Sequence, residues 1–367
     1  MADGDPGHRR IARTMKRILA LDGGGIRALF SIQVLARIEQ LFRQERDRED
    51  LVLADEFDLF AGTSSGAIVA TGLAWGMAVA DIEKLYATRG SDLFTRAPWY
   101  QRWKSKYRAE AMASVLRTIF SEDGRGKQPA LLGSDRLRTL LLVVLRNAST
   151  GSAWPLTNNP RAKFNDRKNA DCNLDIPIWQ LLRASSAAPT YFPPQEIQLG
   201  GHRDIFVDGG TSSFNNPALI AVLHATLPQY RLGWPASRAD LHVVSIGTGA
   251  ARARLDKKSV GKINVLDQIS YLFPALSGAA VIEQDLLCRV LGDCLHGAPI
   301  DSELGNLNTP TMLTPDEQKF SYVRYDRSVE DRAALDDLSM IPLLQAAGKR
   351  YAEEHVRLEH LYPRAAS

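Results

Sequence analysis

The sequence predicts a single α/β domain built on a mostly parallel sheet. Apolar runs of strand length alternate with longer runs in which apolar residues recur every three or four positions, the spacing of a helix face. The alternation continues without a repeat or a long linker, which is typical of a parallel sheet covered by helices. Two predicted strand-to-helix junctions carry glycine-rich turns, at residues 22–25 and 62–66. These turns are the first candidates for function, because they present groups at the start of a helix.

The composition excludes several functional classes. Of the 367 residues, 45% are hydrophobic and 24% are charged, which is ordinary for a globular protein. The formal net charge is only +3, so charge gives no argument for a nucleic-acid polymer as partner. Cys172, Cys288 and Cys294 are too few and too scattered for a disulfide framework or a zinc site. We therefore expect no metal site.

The N-terminal region and the hydropathy pattern bear on domain limits and location. Residues 1–15 are small and charged, so we predict a disordered tail there and a single domain over residues 16–358. The tail has no apolar segment of the kind found in signal peptides. No apolar run reaches the ~18 residues needed to span a bilayer. We expect a cytoplasmic protein whose membrane contact is peripheral.

Strands are predicted where short apolar runs are bounded by turn residues. They cover residues 17–21, 57–61, 137–145, 206–208, 241–246 and 320–325. Helices are predicted where apolar residues recur at helical spacing. They cover residues 26–44, 67–75, 81–90, 178–183, 218–226, 263–291 in two segments, and 335–358 as one or two helices. Residues 121–129 are predicted as a loop, and residues 151–170, rich in Asn, as an irregular insert.

The second glycine turn matches the pattern of a nucleophile elbow. Residues 62–66 fit G-x-S-x-G and lie between a predicted strand and a predicted helix. Gly62 and Gly66 allow a sharp turn, which leaves the Ser64 hydroxyl at the helix N-terminus. The helix dipole favours developing negative charge there. The turn therefore indicates a hydrolase, although a plain Gly/Ser turn is the alternative.

The first glycine turn has two interpretations. Gly23, Gly25 and Ala28 formally satisfy the dinucleotide fingerprint G-x-G-x-x-G/A after a strand. That fingerprint also requires an acidic residue after a second strand about 20 residues on, where this chain still has a charged helix end at residues 43–50. Alternatively, the glycine amides form an anion-binding nest, which in an acyl-transfer enzyme is an oxyanion hole. The serine downstream favours the second interpretation.

The base that would activate Ser64 is better sought among carboxylates than histidines. The histidines lack the sequence context of a catalytic base, so a Ser-His-Asp triad is poorly supported; they are His8, His202, His224, His242, His296, His355 and His360. Asp208 follows an apolar run and precedes two glycines, so its carboxylate would emerge at the sheet rim, unless it only forms an Asp–Gly turn. A carboxylate with a pKa near 4 is a weak base, so this role requires a water-poor site and strong oxyanion stabilisation.

Residues 96–108 combine basic and aromatic side chains. The segment has five basic residues, four aromatic residues and no acidic residue. Interleaved Trp, Tyr, Lys and Arg suit the headgroup region of an anionic bilayer. A basic helix that packs its aromatic residues on the domain is the other interpretation, and both stay open.

Three motifs in order, residues 22–28, 62–66 and 208–210, resemble the signatures of patatin-like phospholipases. Three further segments, residues 186–192, 215–218 and 245–249, are also similar to the family's pattern. The resemblance covers residues 16–351. One departure is Ala28, which stands where many members of the family carry glycine; inside a helix alanine is neutral or favourable.

The resemblance implies a three-layer α/β/α sandwich, a mostly parallel central sheet and a Ser–Asp dyad. Ser64 would be the nucleophile and Asp208 the general base. The implied oxyanion-hole amides are those of Gly23, Gly24, Gly25 and Arg27. The implied reaction is hydrolysis of fatty-acyl esters in phospholipids through an acyl-serine, without metal or cofactor, as in phospholipases A1 and A2 or lysophospholipases.

The chain is also similar to bacterial patatins, among them anti-phage effectors released by cyclic oligonucleotides. This similarity implies a cyclic oligonucleotide as activator, with residues 96–108 as a candidate site, and peripheral association with the inner membrane face. It leaves the oligomeric state undefined. A nucleotide-binding regulatory protein that uses the first glycine turn without hydrolysis is the alternative function.

Overall fold

The computed structural model describes residues 15–93, 105–249, 265–308, 312–327 and 338–363. The predicted tail falls almost entirely on residues 1–14, outside the described residues. Residues 96–104 of the predicted basic and aromatic segment 96–108 also lie outside them. The single domain predicted over residues 16–358 stays a prediction.

Nine strands and nine α-helices make up the described part of the chain. The strands are β1 Lys16–Leu21, β2 Leu59–Thr63, β3 Leu140–Asn147, β4 Ala153–Thr157, β5 Gln195–Leu199, β6 His202–Asp208, β7 Leu241–Ile246, β8 Asp293–His296 and β9 Ser321–Tyr325. The helices are α1 Ala28–Arg46, α2 Ser65–Ala74, α3 Val79–Leu93, α4 Ala109–Ile119, α5 Ile178–Ser185, α6 Ala218–Thr226, α7 Val265–Leu291, α8 Ile341–His355 and α9 Leu358–Leu361. Within the described residues, no helix combines the length and apolarity needed to cross a bilayer.

One sheet holds all nine strands. Its order is β5-β6-β3-β2-β1-β7-β9-β8, with β4 paired to β3 outside this path. The pairs β3–β2, β2–β1, β1–β7, β7–β9 and β9–β8 are parallel. The pairs that involve β4, β5 and β6 are antiparallel. The prediction of a mostly parallel sheet is therefore confirmed.

Alternate residues of the central strands point into two separate cores. On β1, Leu19 and Leu21 pack into the larger core, whereas Ile18 and Ala20 pack into the smaller one. This alternation is the two-residue period of a strand buried on both faces. Helices α1 to α5 and α8 supply residues to the larger core, and α6 and α7 supply residues to the smaller one. The sheet is thus the middle layer of an α/β/α sandwich, as predicted.

Strands β2 and β6 end next to each other beside β3, and this arrangement positions the candidate site. Leu142 pairs with β2 and β4 at once, so these two strands lie on opposite sides of β3. Leu145 pairs with β4 and β6 at once, so β6 lies on the same side as β2. The last residue of β2, Thr63, pairs with Val144, and the last residue of β6, Asp208, pairs with Leu145. The carboxyl ends of β2 and β6 are therefore adjacent.

The structure corrects two predictions. Residues 151–170 were expected to be irregular throughout, and this was wrong because β4 pairs with β3 there. Pro155 within β4 weakens the sequence signal for a strand, since proline occurs mainly on edge strands. Helix α7 is one continuous element with Pro274 inside it, not two segments.

Candidate active site

Ser64 occupies a strained turn between β2 and α2. Its backbone has φ 54° and ψ −126°, a left-handed φ that is uncommon outside glycine. A Cβ on Gly62 would lie 2.4 Å from the carbonyl oxygen of Gly66, and a Cβ on Gly66 would lie 2.3 Å from the carbonyl oxygen of Leu21. Neither position can hold a side chain without a backbone shift. The turn therefore has the geometry predicted for a nucleophile elbow.

Ser185 holds the backbone of this turn in place. The Ser64 amide donates to the Ser185 hydroxyl at 2.9 Å, and that hydroxyl donates to the carbonyl oxygen of Val144 at 2.7 Å. Both bonds tie the elbow to the end of β3. The sequence analysis missed Ser185, which lies at the end of α5 in a run of small residues without a motif of its own.

The Ser64 hydroxyl donates a hydrogen bond to the carboxylate of Asp208. The distance from Ser64 Oγ to Asp208 Oδ2 is 2.8 Å, although 144 positions separate the two residues in sequence. The other carboxylate oxygen, Oδ1, accepts from the Gly210 amide at 2.7 Å. Asp208 is only 1% exposed. The structure thus brings together the two residues predicted to be nucleophile and base.

The environment of Asp208 makes it a stronger base than a free carboxylate. Burial raises the pKa of Asp208 to about 7, against the opposing effects of the Gly210 amide, the Ser64 hydroxyl and the Arg183 charge. Arg183 acts on Asp208 through its charge, while its Nη2 donates to the carbonyl oxygen of Pro193 at 2.7 Å. A pKa near 7 is suited to a general base at neutral pH. It removes the objection that a carboxylate near pKa 4 is too weak.

A buried ion pair anchors the first glycine turn. Arg324, on β9, donates to both carboxylate oxygens of Asp22 at 2.9 and 2.6 Å, and each side chain is only 2% exposed. Arg324 also contacts Asp326 at 2.7 Å. Burial alone would lower the pKa of Arg324, but the charges of Asp22 and Asp326 raise it well above its usual value. Arg324 was not predicted from the sequence. A single arginine within an apolar strand could have indicated a buried ion pair.

The backbone amides of this turn differ in their availability. The Gly23 amide donates to the carbonyl oxygen of Asn215 at 3.1 Å, and the Arg27 amide donates to the carbonyl oxygen of Gly24 at 3.2 Å. The Gly24 amide donates to the Ser65 hydroxyl at 3.1 Å. The Gly25 amide, at φ 61°, has no acceptor among the described residues. The oxyanion hole of Gly23, Gly24, Gly25 and Arg27 stays a prediction, and these bonds favour Gly24 and Gly25 as its donors.

The dinucleotide interpretation of the turn loses its remaining support. In that fingerprint an acidic residue stands at the end of the second strand. Here β2 ends at Thr63, whose hydroxyl donates to the carbonyl oxygen of Phe214 at 2.7 Å. The end of β2 therefore offers a buried threonine where the fingerprint needs a carboxylate.

A cavity of about 420 Å³ contains Ser64, Asp208 and the glycine turn. Its apolar wall comes from several elements, with Ile68, Met112, Phe192, Phe273 and Ile282 among its residues. Arg27 and Arg327 also line it. An apolar chamber with a few convergent polar groups is typical of a small-molecule site. The sequence analysis did not predict that α7 would form part of this chamber.

Other candidate chemistries find no support in the described part of the chain. The Ser64 hydroxyl donates to Asp208, and no described histidine hydrogen-bonds to it. No group of three or more His, Cys, Asp or Glu side chains there could hold a metal ion. Cys172, Cys288 and Cys294 are buried as free thiols.

The fold and the site define a class of protein: an α/β/α sandwich whose serine elbow contacts an aspartate. Residues 19–222, more than half of the chain, match the family model described as patatin-like phospholipase. The chain therefore belongs to the patatin-like phospholipase family. This confirms the resemblance seen in the three glycine motifs.

Two curated relatives and one solved structure illustrate the similarity. A cGAMP-activated phospholipase from Escherichia coli is 31% identical over 238 residues, which cover 63% of this chain and 62% of that protein. A cGAMP-activated phospholipase from Vibrio cholerae is 28% identical over 247 residues, covering 63% of this chain and 64% of that protein. The chain thus spans less than two thirds of either relative. The structure of VipD from Legionella pneumophila is 15% identical with a TM-score of 0.44, and the match covers 94% of this chain and 67% of that one.

Proposed function

We propose that this protein is a serine lipid acyl hydrolase in which Ser64 is the nucleophile and Asp208 the general base. The observation that carries the proposal is the 2.8 Å hydrogen bond from Ser64 Oγ to Asp208 Oδ2. The buried position of Asp208 supports it, since burial raises the pKa of this carboxylate to about 7. Membership of the patatin-like phospholipase family is consistent with it.

The first half of the reaction forms an acyl-serine. Ser64 Oγ attacks the carbonyl carbon of a fatty-acyl ester as its proton passes to Asp208 Oδ2. The carbonyl oxygen becomes an oxyanion, which the amides of Gly24 and Gly25 stabilise; the Gly24 amide then exchanges its bond to Ser65 for one to the oxyanion. Collapse of this intermediate breaks the ester bond. The alcohol leaving group takes the proton from Asp208.

The second half hydrolyses the acyl-serine. A water molecule enters where the alcohol has left, and Asp208 accepts one of its protons as the water oxygen attacks the acyl carbon. The second oxyanion collapses with release of the fatty acid, and Ser64 Oγ recovers the proton from Asp208. Every proton transfer uses the same carboxylate oxygen, Oδ2, which already lies within hydrogen-bond distance of Ser64.

The substrate class follows from the cavity and from the family. The apolar wall of the cavity suits an acyl chain, and the arginines that line it suit a phosphate. We propose a phospholipid or lysophospholipid as substrate, met at the inner face of the cytoplasmic membrane. Whether the enzyme is of the phospholipase A1, A2 or lysophospholipase type is a question for product analysis.

Activation by a cyclic oligonucleotide is part of the proposal. Its support is that the two bacterial relatives described above are named cGAMP-activated phospholipases. Such activation fits a role as an anti-phage effector. Residues 96–108 remain the predicted site for the activator or for an anionic membrane, and most of them lie outside the described residues.

The test is hydrolysis of a p-nitrophenyl ester and of phospholipid vesicles, with and without a panel of cyclic oligonucleotides. We expect Ser64→Ala and Asp208→Asn each to lower kcat by about 10⁴-fold or more, since members of a catalytic unit are each indispensable. Asp204→Asn, on the same strand, and Ser114→Ala, on α4, serve as matched controls and should retain activity. Full esterase activity in Ser64→Ala would contradict the proposal. A response to one cyclic oligonucleotide alone would identify the activator.

A further inference from the structure

The outward face of α7 is apolar where a helix in water is normally polar. Leu272 is 52% exposed and Leu276 is 67% exposed, one helical turn apart. Leu287 is also exposed further along the helix, beyond the exposed Glu283. From residue 269 to residue 282 the sequence has no charged side chain. Water-exposed helix faces carry polar side chains, so this face indicates a contact with an apolar partner.

Exposed apolar residues are concentrated on this helix. Among the described residues, ten large hydrophobic side chains are exposed, and four of them lie on α7. The others are scattered over separate elements, which is normal for a protein surface. The concentration on one helix therefore sets α7 apart from the rest of the described surface.

The inner face of the same segment lines the cavity that contains Ser64. Tyr271, Phe273, Pro274 and Ile282 contribute to the cavity wall. The C-terminal end of α7 is fixed to the body, because Arg289 donates to the carbonyl oxygens of Ala298 and Asn306, each at 2.8 Å. One helix thus presents an apolar surface to solvent and an apolar wall to the proposed reaction site.

The charges in the cavity favour a phospholipid over another apolar partner. Arg27 and Arg327 line the cavity behind α7, where the aspartates Asp22 and Asp285 are paired with the arginines of β9 and α7. The Arg27 Nε is buried and has no hydrogen-bond partner among the described residues. A guanidinium donor without a partner suits a phosphate oxygen. An apolar face next to phosphate-compatible arginines matches the two parts of a phospholipid, its acyl chains and its headgroup.

We propose that the outward face of α7, centred on Leu272 and Leu276, docks on a phospholipid bilayer and delivers the acyl chain to the cavity along its inner face. The delivery step rests on the proposed function, whereas docking can be tested without catalysis. The uncharged stretch is too short to cross a bilayer, so it lies in the interface. This surface differs from residues 96–108, whose predicted attraction to anionic lipid is electrostatic. Docking through leucines depends little on salt.

The first test measures binding to neutral phosphatidylcholine vesicles by flotation, at low and at high salt. All proteins carry Ser64→Ala, so lipid turnover cannot change the result. We expect Leu272→Ser with Leu276→Ser to weaken binding about 10-fold or more, from the apolar area removed. The control exchanges Leu343 and Met312, which are 39% and 79% exposed on other elements; Leu343→Ser with Met312→Ser should bind like the parent. Thermal unfolding of each variant verifies the fold.

A second test keeps Leu272 in place and measures the surroundings of position 276 directly. The three native cysteines are buried, so a fluorescent thiol label reacts selectively with Leu276→Cys. We expect a blue-shifted emission of an environment-sensitive label when vesicles are added. The same label on Leu343→Cys should not shift. A label on Leu276→Cys that keeps its aqueous spectrum with vesicle-bound protein would overturn the proposal.

The remaining outcomes separate the two proposals. Binding that is unchanged in Leu272→Ser with Leu276→Ser and lost at high salt overturns docking through α7 and points to a basic surface. Light scattering that shows a dimer dispersed by these substitutions, with vesicle binding unchanged, overturns it in favour of a second copy of the chain. Vesicle binding through α7, together with no esterase activity of the Ser64-bearing protein under any cyclic oligonucleotide, supports the docking surface and contradicts the proposed function.

Discussion

Two buried aspartates at the carboxyl edge of the sheet differ in their partners, since only Asp22 forms an ion pair with arginine. Asp22 follows β1 and is held by both terminal nitrogens of Arg324. Asp208 ends β6 and is held by neutral donors, the Gly210 amide and the Ser64 hydroxyl. Burial raises the pKa of both carboxyl groups, and the charge of Arg324 opposes that rise at Asp22.

The comparison shows how one residue type performs two tasks. A carboxylate in a bidentate pair with arginine is neutralised and rigid, so Asp22 can anchor the glycine turn to β9. A buried carboxylate without an ion-pair partner binds protons more readily, so Asp208 can accept one from Ser64. Burial raises the pKa of Asp22 to about 6 and that of Asp208 to about 7, so the partners decide the roles: the ion pair with Arg324 makes Asp22 an anchor, and the contact with Ser64 makes Asp208 the candidate base.

The largest effect on stability should follow from breaking the anchoring pair. We expect Asp22→Asn to destabilise the protein by about 3–5 kcal/mol, because it leaves the Arg324 charge buried with Asp326 as its remaining partner. Urea denaturation measures this loss. The matched change at the other aspartate, Asp208→Asn, should not destabilise the protein. Equal losses for the two substitutions would contradict the comparison.

The next effect is stabilisation by Asp208→Asn, in contrast to the destabilisation expected for Asp22→Asn. The pKa of Asp208 is raised from 3.8 to about 7, so the stability that protonation contributes is complete below pH 3.8 and is lost as pH rises through about 7. Above that pH the ionised carboxylate is a cost, at most about 4 kcal/mol. We therefore expect Asp208→Asn to raise Tm by several degrees at alkaline pH, and by progressively less as the pH is lowered. Calorimetry over a pH series tests this, and a lower Tm for the variant at alkaline pH would count against it.

The smallest effect concerns the pH dependence of catalysis. The ionised form of Asp208 is the base, so kcat/KM should fall about tenfold for each pH unit below the pKa near 7. The profile is measured with a soluble ester to exclude effects on vesicles. An unchanged rate between about pH 5 and pH 8 would mean that Asp208 is ionised as readily as an exposed aspartate, so its burial would have no catalytic role.

Several parts of the fold could be predicted from sequence. The helix at Ala218–Thr226 and the strand at Leu241–Ile246 were predicted with their observed limits, because both are apolar runs with clear turn residues at their ends. Strands β4, β5 and β8 were not predicted. In β5 only Ile197 is buried, so the apolar signal is weak, and this strand depends on pairing with β6.

The sequence by itself pointed to Ser64, Asp208 and the first glycine turn. All three lie at turns that require glycine, so the spacing of the glycines marks them. Only the tertiary structure decided that Ser64 and Asp208 meet, since β2 and β6 end side by side against β3. It alone revealed Arg324 as the partner of Asp22, 302 positions away. It also decided that apolar residues of α7, such as Leu272 and Leu276, are exposed to solvent. Local sequence specifies turns and periodicity, whereas distant contacts, burial and the pKa of a carboxyl group depend on how the strands pair.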